Sequence, residues 1–309
     1  MGYEEKISGG FGEKADMPQM RLMEITRDTP DRIVVQLAGH DRVHTHGAGS
    51  LEELRTWRLG GPIFNRTCYA MVEEGDRVHA AIYVQKAYRN VESDRDLHGN
   101  VRKILERSVR ERDERPTHLV FYSISSLSDK KGVGQNLVVS LHEHLNREHT
   151  GARMTTLSPL RSFDEDMSAE EYAAFMALSD VNKRRAVIAH LLAGTDLVQQ
   201  FQMGNGARIG DIKFMAGDIS GEGENARQHI VMGNYVYDND PAILRENAAQ
   251  FAEVKRALRN ANMDEDVRRE IVSEIIYSKI SPTLLHDAQM KRRPAPLRME
   301  EPAGMELNT

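Results

Sequence analysis

The stretch THLVFYSISSLSDKKGVGQNLVVSLHEHLNREHTGARMTTLSPLRSF, residues 117–163, decides the fold. His118 to Ser125 is rich in β-branched and aromatic residues and reads as a buried strand. A basic, glycine-punctuated turn follows at Lys130-Lys131-Gly132-Val133-Gly134-Gln135. Leu137, Leu141 and Leu145 then stand at i, i+4 spacing, the stripe of an amphipathic helix. Thr155-Thr156-Leu157-Ser158-Pro159 closes the stretch as a second strand. A glycine turn between strand and helix exposes backbone N–H groups at the positive end of the helix dipole, which suits a phosphate or pyrophosphate. The predicted anion contacts are Lys130, Lys131, Gly132, Val133, Gly134, Gln135 and Asn136. By themselves the glycines fit an ordinary strand-to-helix turn equally well.

Composition bounds the function. A chain of 309 residues suffices for one large domain or two small ones. Its net charge of -6 and pI near 6.1 argue against a nucleic-acid partner, which calls for a concentrated basic face. The single cysteine, Cys68, rules out an internal disulfide framework and lies in an apolar strand-like run as a buried structural thiol. No signal peptide and no membrane-length apolar run is visible, so the expected location is the cytoplasm. Twelve histidines include the groups His40, His44, His46 and His142, His144, His149, but no acidic partner stands at ligand spacing, and no metal is expected.

Outward from the central stretch, residues 1–19 are Gly-rich and charged and read as a flexible tail. Ile33 to Leu37 leaves helix and strand unseparated. Ser50 and Glu53 match a capping box. Strands are predicted over 67–72 and 78–85, and a charged helix over 97–115. Ser168 and Glu171 form a second capping box, opening two helices that read as an insertion at about 165–195. Strands over 208–215 and 230–237 close the unit, which runs from 20 to 240. Asp240-Pro241 starts a helix that directs Ile243, Phe251, Val254 and Leu258 inward, and Asp264 starts another with Val267, Ile271 and Ile275. These C-terminal helices occupy 241–285, and 286–309 reads as a disordered tail.

Phe121-Tyr122-Ser123-Ile124-Ser125, Gly134 opening a helix, and Thr156-Leu157-Ser158-Pro159 together resemble the malonyl-CoA decarboxylase family, which pairs FYSIS with TLSP or SLSP across a GNAT-type acyl-CoA fold. Phe201-Gln202-Met203-Gly204-Asn205-Gly206-Ala207-Arg208 is similar to the family's FHLGNGAR, and Gly233-Asn234-Tyr235-Val236-Tyr237 to its VNYxY. Leu51 to Tyr69, with Trp57 and Cys68-Tyr69, resembles the family's entry to the catalytic domain, and Asp41-Arg42-Val43-His44 its EAVH segment, with His44 structural. The motifs run in order over about residues 20–240. The resemblance implies an α/β fold: a GNAT-like mixed, mainly antiparallel sheet flanked by helices. The family's helical region ahead of this point has no counterpart here, so a homo-oligomer, if formed, would use another surface.

The resemblance further implies that coenzyme A serves as substrate carrier, with no other cofactor, and that the partner is an acyl-CoA or an acyl-carrier protein, with no nucleic acid or membrane involved. Ser158 matches the family's catalytic serine, Thr156, Asn205 and Gly206 would line the substrate, and Gln202 and Tyr235 join Ser158 as the catalytic set. Decarboxylating a malonyl thioester needs a desolvated carboxylate, donors on the developing enolate oxygen and a proton for carbon. The family's histidine falls at Gln202, and glutamine has no proton to give near neutral pH. Three expectations therefore stand together. One is a decarboxylase whose proton comes from water, Tyr235 or Tyr237. The second is a GNAT-type N- or O-acyltransferase, and the third a non-catalytic acyl-CoA-binding protein. As bland alternatives, Ser158 is a strand-end serine before proline and Asn205-Gly206 a simple turn.

Overall fold

The computed structural model describes residues 5–6, 20–43, 51, 55, 66–87, 115–127, 130, 132–164, 167–214, 219–220, 227–228 and 231–290. The capping box at Ser50, Trp57, the helix expected over 97–115 and Lys131 lie outside the described residues, save isolated positions.

Eight strands form one mixed sheet. In chain order they are β1 (Glu5–Lys6), β2 (Met20–Ile25), β3 (Arg66–Glu73), β4 (Arg77–Ala87), β5 (His118–Ser126), β6 (Arg153–Pro159), β7 (Arg208–Phe214) and, after a separate two-residue pair β8 (Ile219–Ser220) and β9 (Arg227–Gln228), β10 (Val231–Tyr237). The order across the sheet is β1-β2-β3-β4-β5-β6-β10-β7. Every neighbouring pair is antiparallel except β5–β6. The mixed, mainly antiparallel sheet flanked by helices is therefore the fold expected from the sequence. Within residues 1–19, read as a tail, the described pair Glu5–Lys6 adds an edge strand against β2.

Alternation, interrupted by register shifts between β3 and β4, β4 and β5, and β10 and β7, divides the sheet into two faces. Cys68, Ala70, Val72, Ala81 and Tyr83 face a helix α1 (Asp31–Val43), which contributes Ile33, Val34 and Leu37. The ambiguous Ile33–Leu37 segment is thus helical. Cys68 is fully buried there, as expected of a structural thiol. Tyr69, Met71, Ile82, Val84, Leu119 and Phe121 point the other way, into the larger core. That core is closed by α2 (Val133–Glu148), whose Leu137, Leu141 and Leu145 are all buried.

Beyond β6 the chain forms α3 (Arg161–Asp164), α4 (Ala169–Ala177), α5 (Asp180–Ala193) and α6 (Leu197–Gly204), then α7 (Pro241–Arg259), α8 (Glu265–Tyr277) and α9 (Pro282–Asp287). Ser168 and Glu171 form the reciprocal capping box that starts α4, and Asp240 caps α7 with Pro241 behind it. In α7 and α8 the expected Phe251 and Val254 are buried and Leu258, Ile271 and Ile275 pack half-buried against the core, but each stripe differs at its first position. Ile243 is 37% exposed and Leu244 takes its place beside Asn247, Phe251 and Val254. Val267 is 48% exposed, and Val272 and Ile276 are the buried residues of α8. Adjacent apolar residues on a helix lie 100° apart, so packing partners rather than spacing choose between them. Helix α9 continues past 285 to Asp287, and ahead of it Ile280 bridges to Ile209 at the outer edge of β7. Among the described residues no helix is long and apolar enough to cross a membrane.

Candidate active site

β5, α2 and β6 form a strand–helix–strand crossover. The parallel register of β5 and β6 covers only four rungs, from His118↔Arg153 to Phe121↔Thr156. Past that rung β5 stays on β4 and β6 stays on β10. The two strands part at their carboxyl ends, where open α/β sheets take ligands. Thr156 marks the parting, its hydroxyl donating to the carbonyl of Phe121 at 2.8 Å.

The amino end of α2 opens at the same end of the sheet. Gly132 is its N-cap with φ 83°, a left-handed conformation that glycine adopts without steric cost. Among the described residues no side chain caps this helix and its first turn holds no acidic residue, so the leading N–H groups have no side-chain acceptor there. Lys130 is engaged elsewhere: its ammonium contacts both carboxylate oxygens of Glu73 at 3.1 and 3.2 Å, and the buried His79 holds the same carboxylate at 2.7 Å. These hydrogen bonds, His79's first, lower the pKa of Glu73. Gly134 faces protein rather than open space, since a Cβ there would come 3.3 Å from the ring of Phe201.

Ser158 stands beyond the parting on the same face of β6 as Thr156, opposite Gly233 of β10. Gln202 reaches it from α6. The Gln202 Nε2 donates to Ser158 Oγ at 3.1 Å, and Ser158 Oγ lies 3.5 Å from Thr156 Oγ1. The hydroxyl of Tyr237 donates to Gln202 Oε1. A directed polar relay runs from Tyr237 through Gln202 to Ser158, and Thr156, whose proton goes to the Phe121 carbonyl, lies 3.5 Å beyond, too far to hold the serine proton. All four side chains are buried. None of them titrates near neutrality, because burial pushes the phenol of Tyr237 well above its ordinary range.

Tyr235 shares the face of Tyr237 and is fully buried. Burial first, then the nearby charge of Asp196, raise its pKa well above 10.0. Asn205 and Gly206 lie on the α7 side of α6. They end α6 in a Schellman motif, with Gly206 N–H bonded to Met203 O and Ala207 N–H to Gln202 O. Gly206 has φ 87°, and a Cβ there would lie 2.3 Å from the carbonyl oxygen of Leu244. The fold thus joins Thr156, Ser158, Gln202 and Tyr237, sets Tyr235 beside Tyr237 on the same face of β10, opens α2 at the same end of the sheet, and turns Asn205 and Gly206 toward α7.

A second polar cluster was not foreseen. Asp196, fully buried, accepts from the backbone N–H and the hydroxyl of Ser162 at 3.1 and 2.7 Å, and its other oxygen caps α6 through Gln199 N–H at 2.8 Å. The His190 Nε2 lies 3.1 Å from Ser162 Oγ. The serine proton is committed to Asp196, so His190 is the donor in that contact. These are the residue types of a nucleophilic triad wired in another order, and they act as a clamp. Gly194-Thr195-Asp196 followed by Leu197, Val198 and Phe201 is a helix-stop, helix-start signal that locates Asp196 in the sequence. A cavity of about 910 Å³ lies away from both clusters, at the edge of β7, lined by Arg153, Arg184, Lys213 and Asp180 among others. It lacks the convergent buried polar groups found around Ser158.

No protein-family model and no curated protein sequence matches the chain. Solved structures do. Malonyl-CoA decarboxylase from Agrobacterium vitis superposes with a TM-score of 0.52 at 22% identity, covering 87% of this chain and 67% of that one. The enzyme from Rhodopseudomonas palustris gives 0.51 at 21% identity over 82% of this chain and 62% of that one. This chain has the fold of the bacterial malonyl-CoA decarboxylases. The enzyme from Cupriavidus metallidurans, with a TM-score of 0.49 at 22% identity, covers 75% of this chain, and this chain spans 63% of its length, less than two thirds. Within this decarboxylase fold, the segments that carry Phe121, Ser158, Gln202 and Tyr237 converge on one buried point.

Proposed function

We propose that this protein is an acyl-CoA enzyme that decarboxylates a malonyl-type thioester, carried on CoA or on a carrier protein. The observation that carries the reading is the 3.1 Å contact between Gln202 and Ser158, which joins residues 44 positions apart where β5 and β6 part. The uncapped N–H groups of Val133, Gly134 and Gln135, with Asn136 behind them, bind the pyrophosphate. Lys131 adds charge, and Lys130 does so once released from Glu73. The thioester arm enters between β5 and β6 and delivers its carboxylate to Ser158, whose hydroxyl orients it. Burial strips water from the carboxylate and favours its loss. The C–C bond breaks, CO2 leaves, and the electron pair passes into a thioester enolate. Gln202 is held by Tyr237 with its N–H directed at Ser158 and contributes a fixed neutral donor. The α-carbon takes its proton from water.

Acyl transfer is the second reading, favoured by one observation: the relay holds no titrating acid, and a transferase that leaves proton traffic to its acceptor needs none. Mass spectrometry after separate incubation with malonyl-CoA, methylmalonyl-CoA and acetyl-CoA tests both. Loss of CO2 from a malonyl thioester supports the proposal. Acyl transfer without CO2 supports the second reading, and inert binding rejects both.

A further inference from the structure

Tyr235 and Tyr237 leave the same face of β10 two residues apart, yet their hydroxyl groups differ in commitment. Tyr237 donates to Gln202 Oε1. The hydroxyl of Tyr235 is buried and has no hydrogen-bond partner among the described residues. Buried polar groups are nearly always paired, so an orphaned donor at the edge of a polar site points to a missing acceptor.

Its position narrows what that acceptor is. The ring of Tyr235 leans back along β10 over Gly233. A Cβ at Gly233 would meet Tyr235 Cε2 at 3.0 Å and its hydroxyl oxygen at 3.3 Å. Gly233 is the rung directly opposite Ser158. The free hydroxyl therefore lies over the rung opposite Ser158, on the face of the sheet that the Ser158 side chain shares. Residue 233 is a glycine because this ring occupies the space above it.

We propose that Tyr235 Oη is the donor that binds the thioester carbonyl oxygen of the substrate beside Ser158 and strengthens its hold as that oxygen gains enolate charge. The inference rests on the acyl-thioester reading and adds to it a residue and a ligand atom. The phenol keeps its proton throughout: no bond to hydrogen breaks, and the donor is in place before charge develops, which is how preorganised donors accelerate such steps. Burial and the charge of Asp196 hold the group in its neutral donor form over the whole working pH range.

The test is Tyr235→Phe, which removes one oxygen and keeps the ring over Gly233. A donor unpaired in the resting protein contributes nothing to folding, so the variant should melt at or above the wild-type temperature. It should bind malonyl-CoA and acetyl-CoA at least tenfold more weakly than wild type while binding free CoA, which has no thioester oxygen, equally well. If wild type releases CO2, kcat in the variant should fall about 100-fold. Gly233→Ala provides a second reading, because its methyl group displaces the ring without removing the hydroxyl, and it should produce the same selective loss. Equal affinity for all three ligands in Tyr235→Phe, or a uniform loss on all three, overturns the assignment. A fall in melting temperature does too, since it would reveal a protein partner for the hydroxyl. Absence of CO2 release from wild type rejects decarboxylation alone and leaves the thioester-against-CoA comparison to decide on Tyr235.

Discussion

The relay around Ser158 and the clamp around Asp196 adjoin each other, and each has a buried serine or half-buried serine hydroxyl at its centre. The relay is built from Tyr237, Gln202, Ser158 and Thr156, all neutral, with the protons of Tyr237 and Gln202 directed toward Ser158. The clamp contains a fully buried carboxylate, an imidazole and a hydroxyl, the materials of nucleophilic catalysis. Yet the carboxylate binds the serine and the helix end instead of the imidazole, so no base is free to activate Ser162. Residue types alone would point to the clamp as a nucleophilic site. Hydrogen-bond direction marks the clamp as a positioning device, whereas on the proposed reading the relay meets the ligand.

The largest effect that sharpens this contrast is expected at the clamp. Asp196→Ala removes the cap of α6, worth about 1 kcal/mol, and leaves the Ser162 N–H and hydroxyl without an acceptor, at roughly 1–3 kcal/mol. Urea unfolding should show a loss of about 3 kcal/mol, and because α6 carries Gln202, turnover should fall with it. A loss below about 1 kcal/mol would mean that Asp196 does not hold the two elements together.

Next comes Ser158→Ala. If the relay presents this hydroxyl to the reacting carboxylate, kcat should drop about 100-fold, near 2.7 kcal/mol in barrier, with CoA affinity unchanged. Stability should move little, because Gln202 loses one neutral acceptor. Full activity in the variant would reduce Ser158 to a strand-end residue before Pro159.

Gln202→His restores a titrating group at the centre of the neutral relay. Decarboxylation should persist or rise, by about tenfold, and the pH profile should gain a limb near the histidine pKa of roughly 6.5. Wild type and variant measured side by side for CO2 release decide the matter: no release from either, with CoA still bound, ends the decarboxylase reading.

The smallest effect is a pH dependence that the two clusters should not share. Burial lowers the pKa of His118, His142, His149 and His190, with Asp196 partly opposing it at His190. A lowered folded pKa means that the unfolded chain takes up protons first as pH falls below 6.5. The stability these groups contribute is complete above 6.5 and declines as pH drops toward their folded values. Urea midpoints should therefore fall between about pH 7.5 and 5.5, while wild-type kcat, resting on a relay with nothing to titrate there, stays level. A wild-type kcat that follows the histidines would place an ionising group in the reaction.

Much of the fold was legible because its signals are local. Leu137, Leu141 and Leu145 keep one helical face, Ser168 with Glu171 and Asp240 with Pro241 mark helix starts, and alternation in 67–72 and 78–85 marks strands. The phase of α7 and α8 was not, since Ile243 and Leu244 satisfy the same pattern and only the neighbouring helices decide which is covered. Helix α6 was missed although Asp196 signals it, because the Asn205-Gly206 pair reads as a hairpin turn while it in fact ends a helix.

The site divides the same way. The sequence by itself determined the order of strand, glycine turn, helix and strand, the presence of Ser158 at the end of β6, and the glutamine at 202, since these depend on spacing and residue identity along the chain. Only the tertiary structure decided that Gln202 meets Ser158, that Tyr237 is committed while Tyr235 is not, and that Asp196 binds Ser162 rather than His190. Hydrogen bonds are short-ranged and directional, so which donor finds which acceptor is set by atoms brought within about 3 Å from distant parts of the chain. No periodicity in the sequence encodes that choice.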